Sequence, residues 1–144
     1  MREYPDLKKD YAFFYKISTR WKDNDVYGHV NNVVYYEYFD TAVNKWLIEN
    51  QLLDYKNGDQ IGYIVQSGCS YFSPISHPSD LKVGIKVSKI GKSSVVYGVG
   101  IFLEKNDSAS AQGYFTHVYV SRKSQKSIKL KNDFKTKLNT LIVK

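Results

Sequence analysis

The sequence predicts an α+β fold: a five-stranded antiparallel sheet wrapped around one long central helix, with a short helix near the C-terminus. Three observations carry that expectation. Tyr35, Tyr38, Phe39, Ala42 and Trp46 recur at steps of three and four, the period of a helix with one apolar face. Beyond Gln60 the pattern becomes strand-like, most cleanly where Leu81, Val83, Ile85 and Val87 alternate with Lys82, Gly84, Lys86 and Ser88. Turn-forming clusters, Gly91-Lys92-Ser93 and Asn106-Asp107, separate the later runs, as hairpins between antiparallel strands require. One helix and one sheet each have a single apolar face, and burying the two against each other satisfies both.

The elements follow in order. Tyr11 to Thr19 is aromatic-rich and reads as a first strand. Asp23 to Asn32 is a turn-rich segment holding Asp23, Asn24, Asp25, Gly28, Asn31 and Asn32. The long helix follows for about four to five turns, with Val43 and Leu47 widening its apolar face. Glu37, Asp40, Thr41, Asn44, Lys45 and Glu49 take the opposite side. Asn31 or Asn32 is placed to cap its start, where a short polar side chain accepts a bond from an orphan N–H. Ile61 to Phe72 is the next strand, ending before Pro74. Val95 to Leu103 and Ala111 to Val120 complete the strands. Phe134, Leu138 and Leu141 to Val143 mark the short terminal helix.

The 144 residues fit one domain, 1–144, large enough to bury a core without disulfide or metal staples. Hydrophobic residues at 42% and charged residues at 24% are ordinary for a globular domain. The single cysteine, Cys69, cannot form an internal disulfide, and no Cys/His cluster has zinc spacing. Residues 1–10 carry charges throughout and do not read as a secretory signal, and no run approaches the length of a membrane span, so a cytoplasmic location is expected. The net charge of +7 sits at one end: residues 122–144 hold eight basic residues against Asp133, while the first 121 hold thirteen of each sign. With no aromatic platform or glycine-rich loop beside these lysines, they read as a solvated surface rather than a nucleic-acid site.

The chemistry concentrates in Trp21-Lys22-Asp23-Asn24-Asp25-Val26-Tyr27-Gly28-His29-Val30-Asn31-Asn32. Two carboxylates, a histidine and three amides gather at a helix entrance, where unpaired N–H groups and a partial positive charge can hold the oxygen of a polarised carbonyl. A carboxylate beside it could activate water or attack directly. A capped helix after a polar turn would use the same residues, and residue chemistry alone leaves both readings open.

This segment resembles the signature of the 4-hydroxybenzoyl-CoA thioesterase family of hot-dog proteins, in particular its acyl-CoA thioesterase branch. The matching residues are Asp23, Asp25, Gly28, His29, Val30, Asn31, Asn32, Tyr35, Tyr38, Phe39 and Asp40, with Pro74, Asp80 and the turn Gly91 to Ser94 farther on. The likeness spans roughly residues 11–130. It implies a hot-dog fold and hydrolysis of an acyl-CoA thioester, with Asp25 as nucleophile or general base and the backbone N–H near Asn32 polarising the carbonyl. It implies that His29 positions substrate or water, with Gly28 and Asn31 at the substrate site and no metal or redox cofactor. It also implies a homodimer or homotetramer with sites at subunit interfaces. Tyr36 is the candidate acyl-pocket residue, and Lys92, Ser93 and Ser94 are the candidates for the CoA phosphates. One departure stands out: where many relatives carry Ala-Arg in the helix, this chain has Ala42, Val43 and Asn44.

Other readings fare less well. Cys69 has no evident base, and no Gly-x-Ser-x-Gly elbow exists for a serine hydrolase. His77 reads as a loop residue and His117 as a packed strand residue. Tyr35 and Tyr38 read as core. A thioesterase acting on acyl-carrier protein shares the chemistry, and a non-catalytic acyl-CoA binding module is the alternative from another class.

Overall fold

The computed structural model describes residues 2–144, and Met1 lies outside them. Its elements are β1 (Phe13–Ser18), α1 (Asn32–Glu49), β2 (Gln60–Tyr71), β3 (Asp80–Ile90), β4 (Ser94–Leu103), β5 (Ala111–Ser121) and α2 (Asn132–Asn139). The strands form one sheet in the order β1-β3-β4-β5-β2, every neighbouring pair antiparallel. The alternation in β3 places Leu81, Val83, Ile85 and Val87 on the inner face, beside Val95, Tyr97, Val99 and Ile101 of β4. The helix covers that face with Tyr35, Tyr38, Phe39, Ala42, Val43, Trp46 and Leu47, all buried as their spacing predicts. Phe39 meets the sheet at Gly113, where a Cβ would stand 2.5 Å from its ring. The five-stranded hot-dog arrangement is therefore as expected.

Three departures follow from contacts that no local pattern reveals. First, β3, β4 and β5 are joined by hairpins, but β2 lies at the far edge of the sheet against β5. The link 72–79 therefore runs across the end of the sheet and brings Ser73 to His77 against the loop that precedes α1. Second, β1 starts at Phe13; Tyr11 instead lies on the outer sheet face in a small cluster with Phe14, Phe102 and Ala109. Third, α2 ends at Asn139, and Leu141 is buried beyond it, with its carbonyl accepting from Val87 N–H at 3.0 Å. No described helix is long and apolar enough to cross a membrane.

α1 packs over β1, β3, β4 and, through Tyr36 and Phe39, β5, and leaves the inner face of β2 half open. Tyr63, Ile64 and Val65 in the middle of this edge strand are 44%, 48% and 60% exposed.

Candidate active site

The site is built outward from a buried carboxylate. Asp23 ends a short 3₁₀ turn (Trp21–Asp23) and is 1% exposed. Its Oδ2 accepts from the Tyr38 hydroxyl at 2.7 Å and from Arg20 N–H at 2.9 Å, and its Oδ1 accepts from Arg20 Nε and Nη2 at 3.0 and 2.9 Å. Burial works to raise its pKa, but the Tyr38 and Arg20 bonds outweigh it and hold the carboxyl below the usual carboxylate range. The Asp23 carbonyl accepts from Asn31 N–H at 2.8 Å, and Asn24 bridges to Val30. Residues 24–30 therefore form a loop pinched at its base.

Asp25 shapes the loop above that pinch. Its N–H donates to the His29 carbonyl at 2.8 Å, and its carbonyl accepts from Gly28 N–H at 3.1 Å. Its Oδ1 accepts from Tyr27 N–H at 2.8 Å and His29 N–H at 3.4 Å, an aspartate closing its own turn. Gly28 sits at φ +81°, the left-handed region that favours glycine. The crossing link secures the loop from behind: the Ser76 hydroxyl donates to the Gly28 carbonyl, Val30 N–H to the Ile75 carbonyl, and His77 N–H to Asn24 Oδ1.

In front of the loop, Asp25, His29 and Asn32 line one cleft of about 400 Å³ with Val30, Tyr35 and residues 71–74. Asn31 is the N-cap, accepting from Val33 N–H at 3.1 Å, so its side chain is committed to the helix. Among the described residues, Asn32 N–H has no protein partner, and neither does Asp25 Oδ2. A donor at the positive end of α1 and a free carboxylate oxygen thus lie on the same cleft. That pair can polarise a carbonyl and deliver a nucleophile to its carbon.

The structure brings Asp25, His29 and Asn32 together and places the other predicted site residues elsewhere. Gly28 and Asn31 shape the loop and the cap. Tyr36 is half-buried deeper along α1, stacked on Phe115 at 6.2 Å between centroids. Lys92, Ser93 and Ser94 form the β3–β4 turn at the opposite end of the sheet, roughly 30 Å away along β4. They do not reach the Asp25 cleft of the same chain. Their carbonyls instead accept from Leu130, Tyr119 and Gly91 N–H groups, tying down the C-terminal segment.

Sequence reasoning missed Tyr71, Phe72 and Ser73 as cleft residues; the Tyr71 hydroxyl donates to the Asn32 carbonyl at 3.3 Å. An aromatic strand end just before Pro74 was the available signal. Cys69 is half-buried, and burial raises its thiol pKa, which suits a packed residue rather than a nucleophile. His77 is a tether, its ring 3.1 Å from the Thr19 hydroxyl.

A model of the thioesterase-like superfamily matches residues 19–138. The crystal structure of the PA5185 protein from Pseudomonas aeruginosa strain PAO1 is similar, with 45% identity and a TM-score of 0.93, covering 96% of this chain and 97% of that one. The long-chain acyl-CoA thioesterase FadM of Escherichia coli strain K12 is 24% identical over 128 residues, 88% of this chain and 97% of FadM. Slr0204, a 1,4-dihydroxy-2-naphthoyl-CoA thioesterase from Synechocystis, shares the fold at 19% identity, with a TM-score of 0.79 over 88% of this chain and 95% of that one.

Proposed function

The chain belongs to the thioesterase-like superfamily, and on that premise we propose that it hydrolyses acyl-CoA thioesters to free acid and CoA with Asp25 as its catalytic carboxylate. The observation that carries this reading is the shared cleft of Asp25 and the unclaimed Asn32 N–H. The thioester carbonyl oxygen accepts from Asn32 N–H, and the positive end of α1 stabilises the charge that develops there. Asp25 takes the proton of a water that attacks the carbon, or attacks it directly and is released by water. CoA leaves as the thiolate. Water is the only co-reactant, so no metal or redox group enters. His29, exposed at the rim of the cleft, helps position the thioester or the water. FadM, whose name records a CoA thioester substrate, supports the acyl-CoA class over an acyl-carrier-protein substrate. A panel of acyl-CoAs with free-thiol detection tests the reading: release of thiol from at least one chain length is expected, and none across the panel would overturn it.

The working form in this proposal is a homodimer, or a homotetramer built from it. The open β2 edge with exposed Tyr63, Ile64 and Val65 is the kind of unpaired strand that a second copy covers. A two-fold axis makes two β2 edges meet antiparallel. That pairing sets Lys92, Ser93 and Ser94 of the second copy at the same end as Asp25, where CoA phosphates need cations. A lysine at Val65 places two charges at the joint. Val65→Lys is expected to sediment as a monomer and to lose roughly tenfold or more in turnover, because the site loses half of its positioning surface.

A further inference from the structure

The inner face of β2 carries Tyr71 at the Asp25 cleft and runs on through Cys69, Ser67 and Ile64 to Gly62. α1 leaves this whole row at least partly exposed. Gly62 borders a second cavity, about 170 Å³, walled by Leu47, Leu52 and Leu53 and by polar side chains that include His117, Asn44 and Arg122. From Asn32 to Asn44 the distance along α1 is about 18 Å. Tyr36 and Phe115, stacked on each other at 6.2 Å, lie along this stretch of helix and sheet with Phe39 packed edge-on against both.

His117 is the anomaly. It is 4% exposed, and among the described residues its Nε2 has no hydrogen-bond partner. Its Nδ1 has only a long contact of 3.5 Å with the Tyr119 hydroxyl, which is already engaged with Tyr97 at 2.7 Å. An orphaned buried imidazole costs stability, so a partner is to be sought. Asn44 adds a second polar group: its amide donates to Asp40 and leaves Oδ1 free among the described residues. The gap at Gly62 lies on the Nδ1 edge of the ring, since a Cβ there would stand 3.0 Å from His117 Nδ1, so it is this weakly engaged edge that borders the cavity.

Resting on the thioester-hydrolysis reading above, we propose that this cavity receives the far end of the acyl group and that His117 recognises a hydroxyl or carbonyl oxygen carried there. Burial pulls the His117 pKa down to about 4, so the ring is neutral at pH 7. A neutral imidazole offers one donor and one acceptor, which suits a hydroxyl and gives a carboxylate no counter-charge. The Arg122 guanidinium at the mouth is committed to the Tyr55 and Gly58 carbonyls.

The test compares straight-chain acyl-CoAs of increasing length with their ω-hydroxy counterparts on the full-length protein, reading free thiol. At one chain length the ω-hydroxy substrate is expected to win by about tenfold in kcat/KM, the worth of one hydrogen bond to a buried group. His117→Phe should bring that ratio to about one, and His117→Gln should restore part of it. Equal kcat/KM for both members at every length overturns this proposal and leaves the hydrolase reading standing. No thiol release from either series overturns both. The wild-type ratio decides the matter even if His117→Phe does not fold.

Discussion

Asp25→Asn is expected to lower kcat for acyl-CoA hydrolysis by on the order of 10³-fold or more, with the melting temperature within about 2 °C of wild type. The two halves of that result rest on different oxygens. Oδ1 closes the loop by accepting from Tyr27 and His29 N–H, and an amide oxygen does this as well as a carboxylate. Oδ2 has no described protein partner, and an NH2 group in its place can neither take a proton from water nor attack a carbonyl. The Asn32 N–H and the cleft remain, so substrate binding should change far less than turnover. Stopped thiol-release kinetics at saturating acyl-CoA, with a thermal melt of the same preparation, separate the effects. Turnover within tenfold of wild type would remove Asp25 from the chemistry.

The helix and its cap were legible in the sequence because both are local. Period 3.6 over Tyr35 to Leu47 marks the buried face, and a short amide at Asn31 marks its start. Asp25, Gly28 and Asn32 were legible for the same reason, as one short segment that turns tightly and then starts a helix. Strand order was not, because nothing within β2 says that its partner is β5 rather than β3. The position of Ser73 to His77 depends on that order, so the back wall of the cleft stayed hidden. Lys92 to Ser94 show the converse: the composition of a turn is legible locally, but not the end of the sheet at which it lies. His117 was read as a packed residue, and it is one; that its Nδ1 edge borders a cavity becomes visible only once Gly62 is known to face it.

Asp23 and Asp25 look alike in the sequence, two carboxylates one residue apart, and the structure separates their roles. Asp23→Ala is expected to destabilise the fold by about 3 kcal/mol, roughly 10 °C in melting temperature. The loss leaves the buried Tyr38 hydroxyl and Arg20 N–H without their acceptor and unpins the base of the Asp25 loop. Arg20 is half exposed and regains water, so the cost stays below that of stranding a fully buried cation. Tyr38→Phe removes one donor and should cost about 1 kcal/mol. The pH dependence carries the sign of a depressed carboxyl. The stabilisation from Asp23 is fully present above its unfolded pKa of about 4 and is lost as the pH falls through the lower folded value. The stability gap between wild type and Asp23→Ala should therefore be constant from pH 7 to about 5 and narrow below about 4. Urea unfolding at pH 7, 5 and 3 measures it. A gap that widens toward acid would mean that Asp23 is held as the neutral acid, and the hydrogen bonds from Arg20 and Tyr38 would no longer account for the shape of this loop.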